Sequence, residues 1–600
     1  MARVFVEPIG VTLDVAEDET LLDPLVRAAV DIPTDCAGRG TCGKCLVRLG
    51  AGELTPPTDR ELKRISEKLR ADGWRLACQA HPRSARVSIE VRATGGRRRI
   101  LTTSKLHHGA AHPAVLAQPV TMDAPTLADK RSDVERLTQA LTAGGRKADA
   151  ADVPLTVLQR LPWLLRDARW RAVVARYGRR VIDVFPAETA PDLYGAAVDV
   201  GTSKVIAYLF DLGRGRLVDQ EAVENPQMRY GEDVISRIAH AVTPEQLGQV
   251  QRAVVDGINL TVAALCERQA IEPRQICDMT VVGNTAMHHL ALGLSPVGLG
   301  AAPFAPGTAE PVALRATELG VAINPESPVY FPPPIAGFVG SDALAVIAAT
   351  RLAGKKRPSM AIDIGTNTEI ALAHDGQVTV TSCASGPAFE GYQIKDGMKA
   401  VAGAIERVRV TAKGETVDIQ TIAGEPAMGI CGSGVVDLLA GLARAGVVDK
   451  SGRLVEHDRV RQGPDGREYL VTPGAHGDIV FTQHDVRNLQ LAKGAINAGW
   501  ELLLDSLGVP LADLDRVYVA GAFGNYLGLH AAQYLGLFPP VPTQHVAFVG
   551  NAAGVGAQMA LIDARARRRM ADLRRRTEFL DLATDKRFLE VFSGRLGFAG

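Results

Sequence analysis

Asp35-Cys36-Ala37-Gly38-Arg39-Gly40-Thr41-Cys42-Gly43-Lys44-Cys45 sets the reading of this chain. Five residues separate its first two cysteines and two separate the next pair, and Cys78 follows beyond a helix-like segment. A clustered trio of thiolates with one distant partner supplies the four sulfurs of a [2Fe–2S] centre, two for each iron. The intervening glycines reach φ > 0 without strain, so the backbone can wrap a cluster and turn its amides towards the sulfurs. Zinc sites usually pair their ligands as two short couples, and this segment has only one. Cys36, Cys42, Cys45 and Cys78 are the expected iron ligands.

Around that loop the sequence alternates in short strands. Val4 and Val6, then Val11, Leu13 and Val15, read as two strands turning near Pro8 and Gly10, with a helix over residues 20–29. Beyond the loop come a strand at 45–49, a polar helix over 59–70 and strands at 74–78 and 86–91. The first domain is expected to end near residue 95. Residues 96–120, with Arg97-Arg98-Arg99 and three scattered histidines, show no period and read as a linker. Residues 121–192 read as a small α/β middle domain, with helices over 132–142 and 155–167 and a strand at 181–185.

From residue 193 to 600 one plan recurs. Ala196-Ala197-Val198-Asp199-Val200-Gly201-Thr202-Ser203-Lys204-Val205-Ile206 is an apolar strand, a polar turn and a second apolar strand. Met360-Ala361-Ile362-Asp363-Ile364-Gly365-Thr366-Asn367-Thr368-Glu369-Ile370 repeats it about 160 residues later. Such a turn offers amides and hydroxyls to phosphate oxygens, and its aspartate can hold Mg2+ through water. Arg516-Val517-Tyr518-Val519-Ala520 then runs into a glycine turn, Gly521-Ala522-Phe523-Gly524, suited to close approach by a nucleoside. Neither a P-loop nor a flavin motif is evident, which leaves nucleotide handling to these turns.

The N-terminal cysteine pattern resembles plant- and adrenodoxin-type ferredoxins, which implies a β-grasp fold. The paired hairpins and the glycine turn resemble the ASKHA superfamily of sugar kinases, actin and heat-shock chaperones. That resemblance implies two ribonuclease-H-like lobes clasping ATP and Mg2+, with Asp199 and Asp363 on opposite sides of the phosphates as the catalytic carboxylates. Gly201, Thr202, Ser203, Lys204, Gly365, Thr366 and Asn367 then face the phosphates, and Gly521, Ala522, Phe523 and Gly524 the nucleoside. Joined in one chain, the two halves resemble the reductive activators of corrinoid proteins. Stretches such as Gly231-Glu232-Asp233-Val234, Gly283-Asn284-Thr285-Ala286, Ala384-Ser385-Gly386-Pro387 and Gly429-Ile430-Cys431-Gly432 resemble that family too. It implies ATP-dependent return of a methyltransferase's corrinoid protein from Co(II) to Co(I), with the electron coming from an external low-potential donor. It also implies possible pairing into a homodimer.

The activators of 2-hydroxyacyl-CoA dehydratases also join an ASKHA fold to iron and sulfur, but the four N-terminal cysteines argue against them, which leaves two competing readings. One is a small-molecule kinase carrying a redox-sensing ferredoxin domain, and the other an ATP-gated electron-transfer scaffold without turnover. Composition narrows the field. The 600 residues hold 67 Lys and Arg against 67 Asp and Glu, so no net field draws the chain to nucleic acid or to a membrane. The N-terminus lacks the apolar run of a signal peptide, and a cytoplasmic location is expected. Cys266, Cys277, Cys383 and Cys431, scattered singly, are expected to be buried reduced thiols. His288-His289 are better explained by structure than by chemistry, and Glu390 equally well by either.

Overall fold

The computed structural model describes residues 2–28, 30, 32, 38–41, 43–65, 67–91, 111–143, 152–231, 233–475, 477–521 and 527–598. Cys36, Cys42, Ala522, Phe523 and Gly524, and most of the stretch read as a linker, lie outside the described residues.

Alternating apolar residues place Val4, Val6, Val87, Ile89 and Val91 on the inner face of a five-stranded sheet. Ala2–Glu7 pairs antiparallel with Val11–Val15 and parallel with Arg86–Val91, which continues into Leu46–Ala51 and Trp74–Leu76. The helix Leu22–Arg27 buries Leu22 and Leu25 across it, which is the β-grasp arrangement. The polar helix expected over 59–70 is two, Asp59–Arg64 and Glu67–Ala71. Ile65 turns extended between them (φ −108°, ψ 126°) and buries its side chain in the core.

The next unit is a three-stranded antiparallel sheet of Val115–Thr121, Arg171–Tyr177 and Arg180–Pro186 under short helices. Its first strand lies where the sequence reads as linker. Only Val115 and Val120 are buried along it, too weak a pattern to see in isolation. The helix expected over 155–167 is Leu155–Leu158 and Leu161–Asp167, restarted at Pro162, whose missing N–H and bulky ring break a continuous helix.

Two six-stranded sheets dominate the rest, beside two three-stranded sheets within residues 404–482, and the two large sheets share a plan. In the first lobe Arg216–Glu224, Lys204–Asp211 and Tyr194–Val200 run antiparallel, followed by Ile276–Gly283 and Pro328–Phe331 in parallel. In the second, Gln377–Cys383, Thr368–His374 and Ser359–Asp363 run antiparallel, followed by Arg516–Ala520 and Val546–Gly550 in parallel. Each lobe adds one edge strand of its own, Val312–Arg315 and Thr577–Phe579. The same 3-2-1-4-5 order twice over is the two-lobed ASKHA architecture. Helices Ser341–Ala349 and Ala552–Ile562 fill the space between the sheets with Leu344, Ile347, Val555 and Leu561, so one apolar core spans both lobes. No helix among the described residues is long and apolar enough to cross a membrane.

Candidate functional site

Cys45 and Cys78 come together at the end of the first sheet, both buried, with their Sγ atoms 3.3 Å apart. That is too long for an S–S bond of about 2.05 Å. It is near the roughly 3.8 Å expected of two sulfurs sitting about 2.3 Å from one tetrahedral metal. Gly38, Gly40 and Gly43 all take left-handed backbone (φ +80°, +71° and +74°), the winding that a wrapped loop requires. Gln79, unremarked in the sequence, aims its amide at Cys78 Sγ (3.6 Å) and at the Gly38 carbonyl (3.2 Å). A hydrogen bond to a ligating sulfur is one way to tune a cluster's potential. Below, buried Glu61 holds Arg75 through two bonds of 2.9 and 3.0 Å and fixes the strand that presents Cys78. The donor set and its separation fit an iron–sulfur group.

The second site is a cleft of about 290 Å³ between the lobes. It gathers Asp199, Gly201, Thr202, Ser203 and Lys204 from the first hairpin, Asp363, Gly365, Thr366 and Asn367 from the second, and Gly521. Each hairpin turns because its strands are apolar and its tip is polar. Both aspartates stand at the end of an inner strand, Asp199 opposite Ile206 and Asp363 opposite Glu369. Gly521 has φ +90°, and a Cβ there would lie 2.7 Å from the Ile364 carbonyl and 2.8 Å from Asp363 Oδ1. Only glycine fits against the second hairpin.

Carboxylates dominate the electrostatics. Burial pushes Asp199 up to about 6, against a hydrogen bond from Asn551 Nδ2 (2.8 Å) that pulls the other way. Burial, then Asp342 and Asp199, push Asp363 up to about 7. Asp342 also rises to about 7, through burial and the charge of Asp199, and burial drives Glu369 well up. Each of these side chains keeps an exposed edge, but that edge faces the cleft and not bulk water, so desolvation sets the direction. Among the described residues no three His, Cys, Asp or Glu groups are close enough to grip an ion directly. A hard cation here would be held partly through water and phosphate, as Mg2+ usually is.

Neutral donors complete the walls. Asn284 Nδ2 reaches Thr202 Oγ1 at 3.3 Å. Glu390 bridges the lobes, accepting from Thr366 Oγ1 (2.8 Å) and Ser203 Oγ (3.4 Å). Lys399 pairs with Glu224 from the opposite lobe. Behind the first tip, fully buried Arg237 donates to the carbonyls of Gly231 (2.8 Å) and Thr202 (2.5 Å). Cys431, Gly432 and Ser433 reach the cleft at the start of the helix Gly432–Arg444, whose amides suit an anion.

Four known families match along the chain. A 2Fe-2S iron-sulfur cluster binding domain matches residues 4–83 and the RACo linker region residues 104–191. The RACo middle region matches residues 194–355, and the C-terminal domain of RACo, the ASKHA domain, residues 357–599. The corrinoid activation enzyme RamQ of Eubacterium limosum is 32% identical over 98% of both chains. A solved structure described as a reductive activator for corrinoid, iron-sulfur protein superposes with a TM-score of 0.75 at 32% identity, covering 100% of this chain and 98% of that one. The chain belongs to the family of reductive activators of corrinoid proteins. A Co(II) methylated amine-specific corrinoid protein reductase of Methanosarcina barkeri is also similar, at 30% identity over 39% of this chain and 44% of its own.

In this activator the residues that sequence reasoning missed are Asp342, Glu369, Asn551 and Gln79. Glu369 was signalled by a carboxylate at an otherwise apolar inward position of the second hairpin. Asp342 follows Gly340-Ser341 at the start of an apolar helix, the place of a residue presented at a helix tip. Neither His288 nor His289 lines the cleft. Both are buried in the helix Thr285–Leu292, and His289 joins the Thr285 carbonyl to the Gly307 amide at 2.8 and 2.7 Å. Burial and then His289 pull His288 down to about 3, leaving it neutral. Cys266, Cys277, Cys383 and Cys431 are buried free thiols.

Proposed function

We propose that the protein uses ATP to return the corrinoid of a methyltransferase's corrinoid protein from Co(II) to Co(I), one electron at a time. The supporting observation is a two-lobed cleft, with Asp199 and Asp363 facing each other across it, in the same chain as the paired thiols Cys45 and Cys78. Cys36, Cys42, Cys45 and Cys78 would hold a [2Fe–2S] group, which would supply a one-electron couple near about −400 mV. Each 59 mV by which Co(I) lies lower costs a factor of about ten in equilibrium constant, so an input of free energy is required.

Thr202, Ser203, Lys204, Thr366 and Asn367 hold the phosphates in this reading, and the backbone at Gly521 makes room for the nucleoside. Asp199, Asp342 and Asp363 would hold Mg2+, whose charge would favour their ionised form. Asp199 and Asp363 then orient the water that attacks the terminal phosphate. Closing the lobes shifts the equilibrium of a bound partner only by the difference in affinity for its two states. The electron donor is external to the chain, and the activator works in the cytoplasm. Pairing of the ASKHA portions into a homodimer would appear in the mass measured by light scattering.

The test is anaerobic and optical. Reduced protein is mixed with a Co(II) corrinoid protein, and Co(I) absorption is followed with and without MgATP. ATP-dependent Co(I) that is lost in both Cys78→Ser and Asp363→Asn supports the assignment. Phosphate transfer to a small-molecule hydroxyl or carboxylate instead would make the protein a kinase.

A further inference from the structure

Lys44 lies inside the cysteine loop, one residue before Cys45, yet its Nζ donates to partners far away in sequence. These are the carbonyls of Gly397 (2.9 Å) and Gly391 (3.4 Å) in the second lobe. The two acceptors converge because the backbone folds back on itself. A Cβ on Gly397 would stand 2.1 Å from the Gly391 carbonyl, and one on Gly391 would stand 2.6 Å from that of Met398. The contact therefore seats the cluster loop on one built feature of the ASKHA portion.

The same segment, residues 390–399, also closes the cleft. Glu390, adjacent to the first acceptor, holds hydroxyls of both lobes, and Lys399 ties the segment to Glu224 across the cleft. Between those ends the segment is anchored to the second lobe. Asp396 accepts from the amide of Val480 (2.7 Å) through its side chain and from that of Ile430 (2.8 Å) through its carbonyl. Lys395 bonds Glu468 at 3.1 Å. Anchored at Lys395 and Asp396, the segment directs a displacement at Glu390 to the neighbouring Gly391 carbonyl.

We propose that residues 390–399 are a nucleotide-sensitive dock for the iron–sulfur domain, with Lys44 as its positioning residue, and that polyphosphate entering the cleft releases that domain. The inference rests on the nucleotide reading of the cleft. Glu390 occupies the Ser203 and Thr366 hydroxyls, and its negative charge opposes phosphate arriving at them. A polyphosphate that takes those hydroxyls pushes Glu390 away and with it the Gly391 carbonyl. Docked, the loop holds Lys44 half-buried against the second lobe. Released, it can face a partner protein.

Coupling of this kind is reciprocal. Whatever nucleotide does to the dock, loss of the dock does in reverse to nucleotide affinity. The test uses the cluster-loaded full chain under anaerobic conditions. Small-angle scattering gives the radius of gyration, and calorimetry gives the Kd of a non-hydrolysable ATP analogue with Mg2+. Wild type is expected to be compact alone and extended with the analogue. Lys44→Ala is expected to be extended in both conditions and to bind the analogue roughly tenfold more tightly, since its anchoring bonds no longer oppose binding. Lys44→Arg, still a cationic donor, restores compactness. Glu390→Gln stays compact alone and opens less with the analogue, because phosphate no longer meets a charge there. Analogue binding with no change in wild-type scattering overturns the dock while leaving the nucleotide site standing. Compact Lys44→Ala with unchanged Kd does the same. Absence of any analogue binding to wild type overturns both.

Discussion

The two hairpins of the ASKHA portion share a strand order, a turn and an aspartate, yet they put those aspartates in unequal surroundings. Asp199 is met by the Asn551 amide, sits opposite apolar Ile206, and rises only to about 6. Asp363 sits opposite Glu369, is pressed by the charge of Asp342 and rises to about 7. A repeated fold thus need not repeat its electrostatics. Besides Glu369, which stands where the first hairpin has Ile206, the residues that differ come from outside the repeated strands, Asn551 and Asp342 each at the start of a helix between the lobes. The second lobe concentrates the unpaid charge, so it depends more on the arrival of a cation.

Removing that charge should break the asymmetry most severely. Asp363→Asn is expected to lower Mg2+-dependent ATP hydrolysis by about 10²- to 10⁴-fold, the range for loss of a positioned acid–base group. Steady-state phosphate release checks it, and a fall under threefold would contradict the division. Asp199→Asn should cost less, and should raise the Mg2+ requirement less than Asp363→Asn does, in a titration of rate against the ion.

Acidity offers a subtler comparison. Asp199, Asp342 and Asp363 hold protons in the folded chain that the unfolded chain releases above about pH 4. Raising the pH through 6 and 7 strips those protons and leaves carboxylates that repel one another. Stability without Mg2+ should therefore fall as pH rises across that window, and added Mg2+ should flatten the slope. Melting temperatures at pH 5.5 and 7.5, with and without the ion, decide it. The smallest expected effect is that of Asn551→Ala. Asn551 also caps the helix Ala552–Ile562 by accepting from the Gly554 amide at 2.8 Å, so its loss should cost about 1 kcal/mol. It should also move the pH dependence of Asp199 towards that of Asp363.

The features legible in the sequence are those carried by local pattern. The cysteine loop, both hairpins and the strand leading into Gly521 were marked by spacing and strand–turn–strand alternation, and the cleft brings the described residues of the two hairpins and Gly521 together. What was not legible depends on register and packing. Glu369 gains its place by lying opposite Asp363, and Asp342 by arriving from a helix well before the second hairpin. Val115–Thr121 is a strand because Arg171–Tyr177 is there to pair with it. Ile65 breaks a polar helix because the core accepts its side chain, which no window of neighbouring residues reveals.

Where the chain re-enters the ASKHA portion has a consequence for competition. His112 is pinned there by two backbone bonds, its amide to the Ile562 carbonyl at 2.7 Å and its carbonyl to the Ala564 amide at 2.9 Å. The iron–sulfur domain ends its last strand at Val91, and a covalent chain of that length reaches at most about 70 Å. One domain confined to a sphere of that radius corresponds to roughly 1 mM. On the dock proposed above, a free ferredoxin of equal affinity would have to approach that concentration to displace the tethered domain.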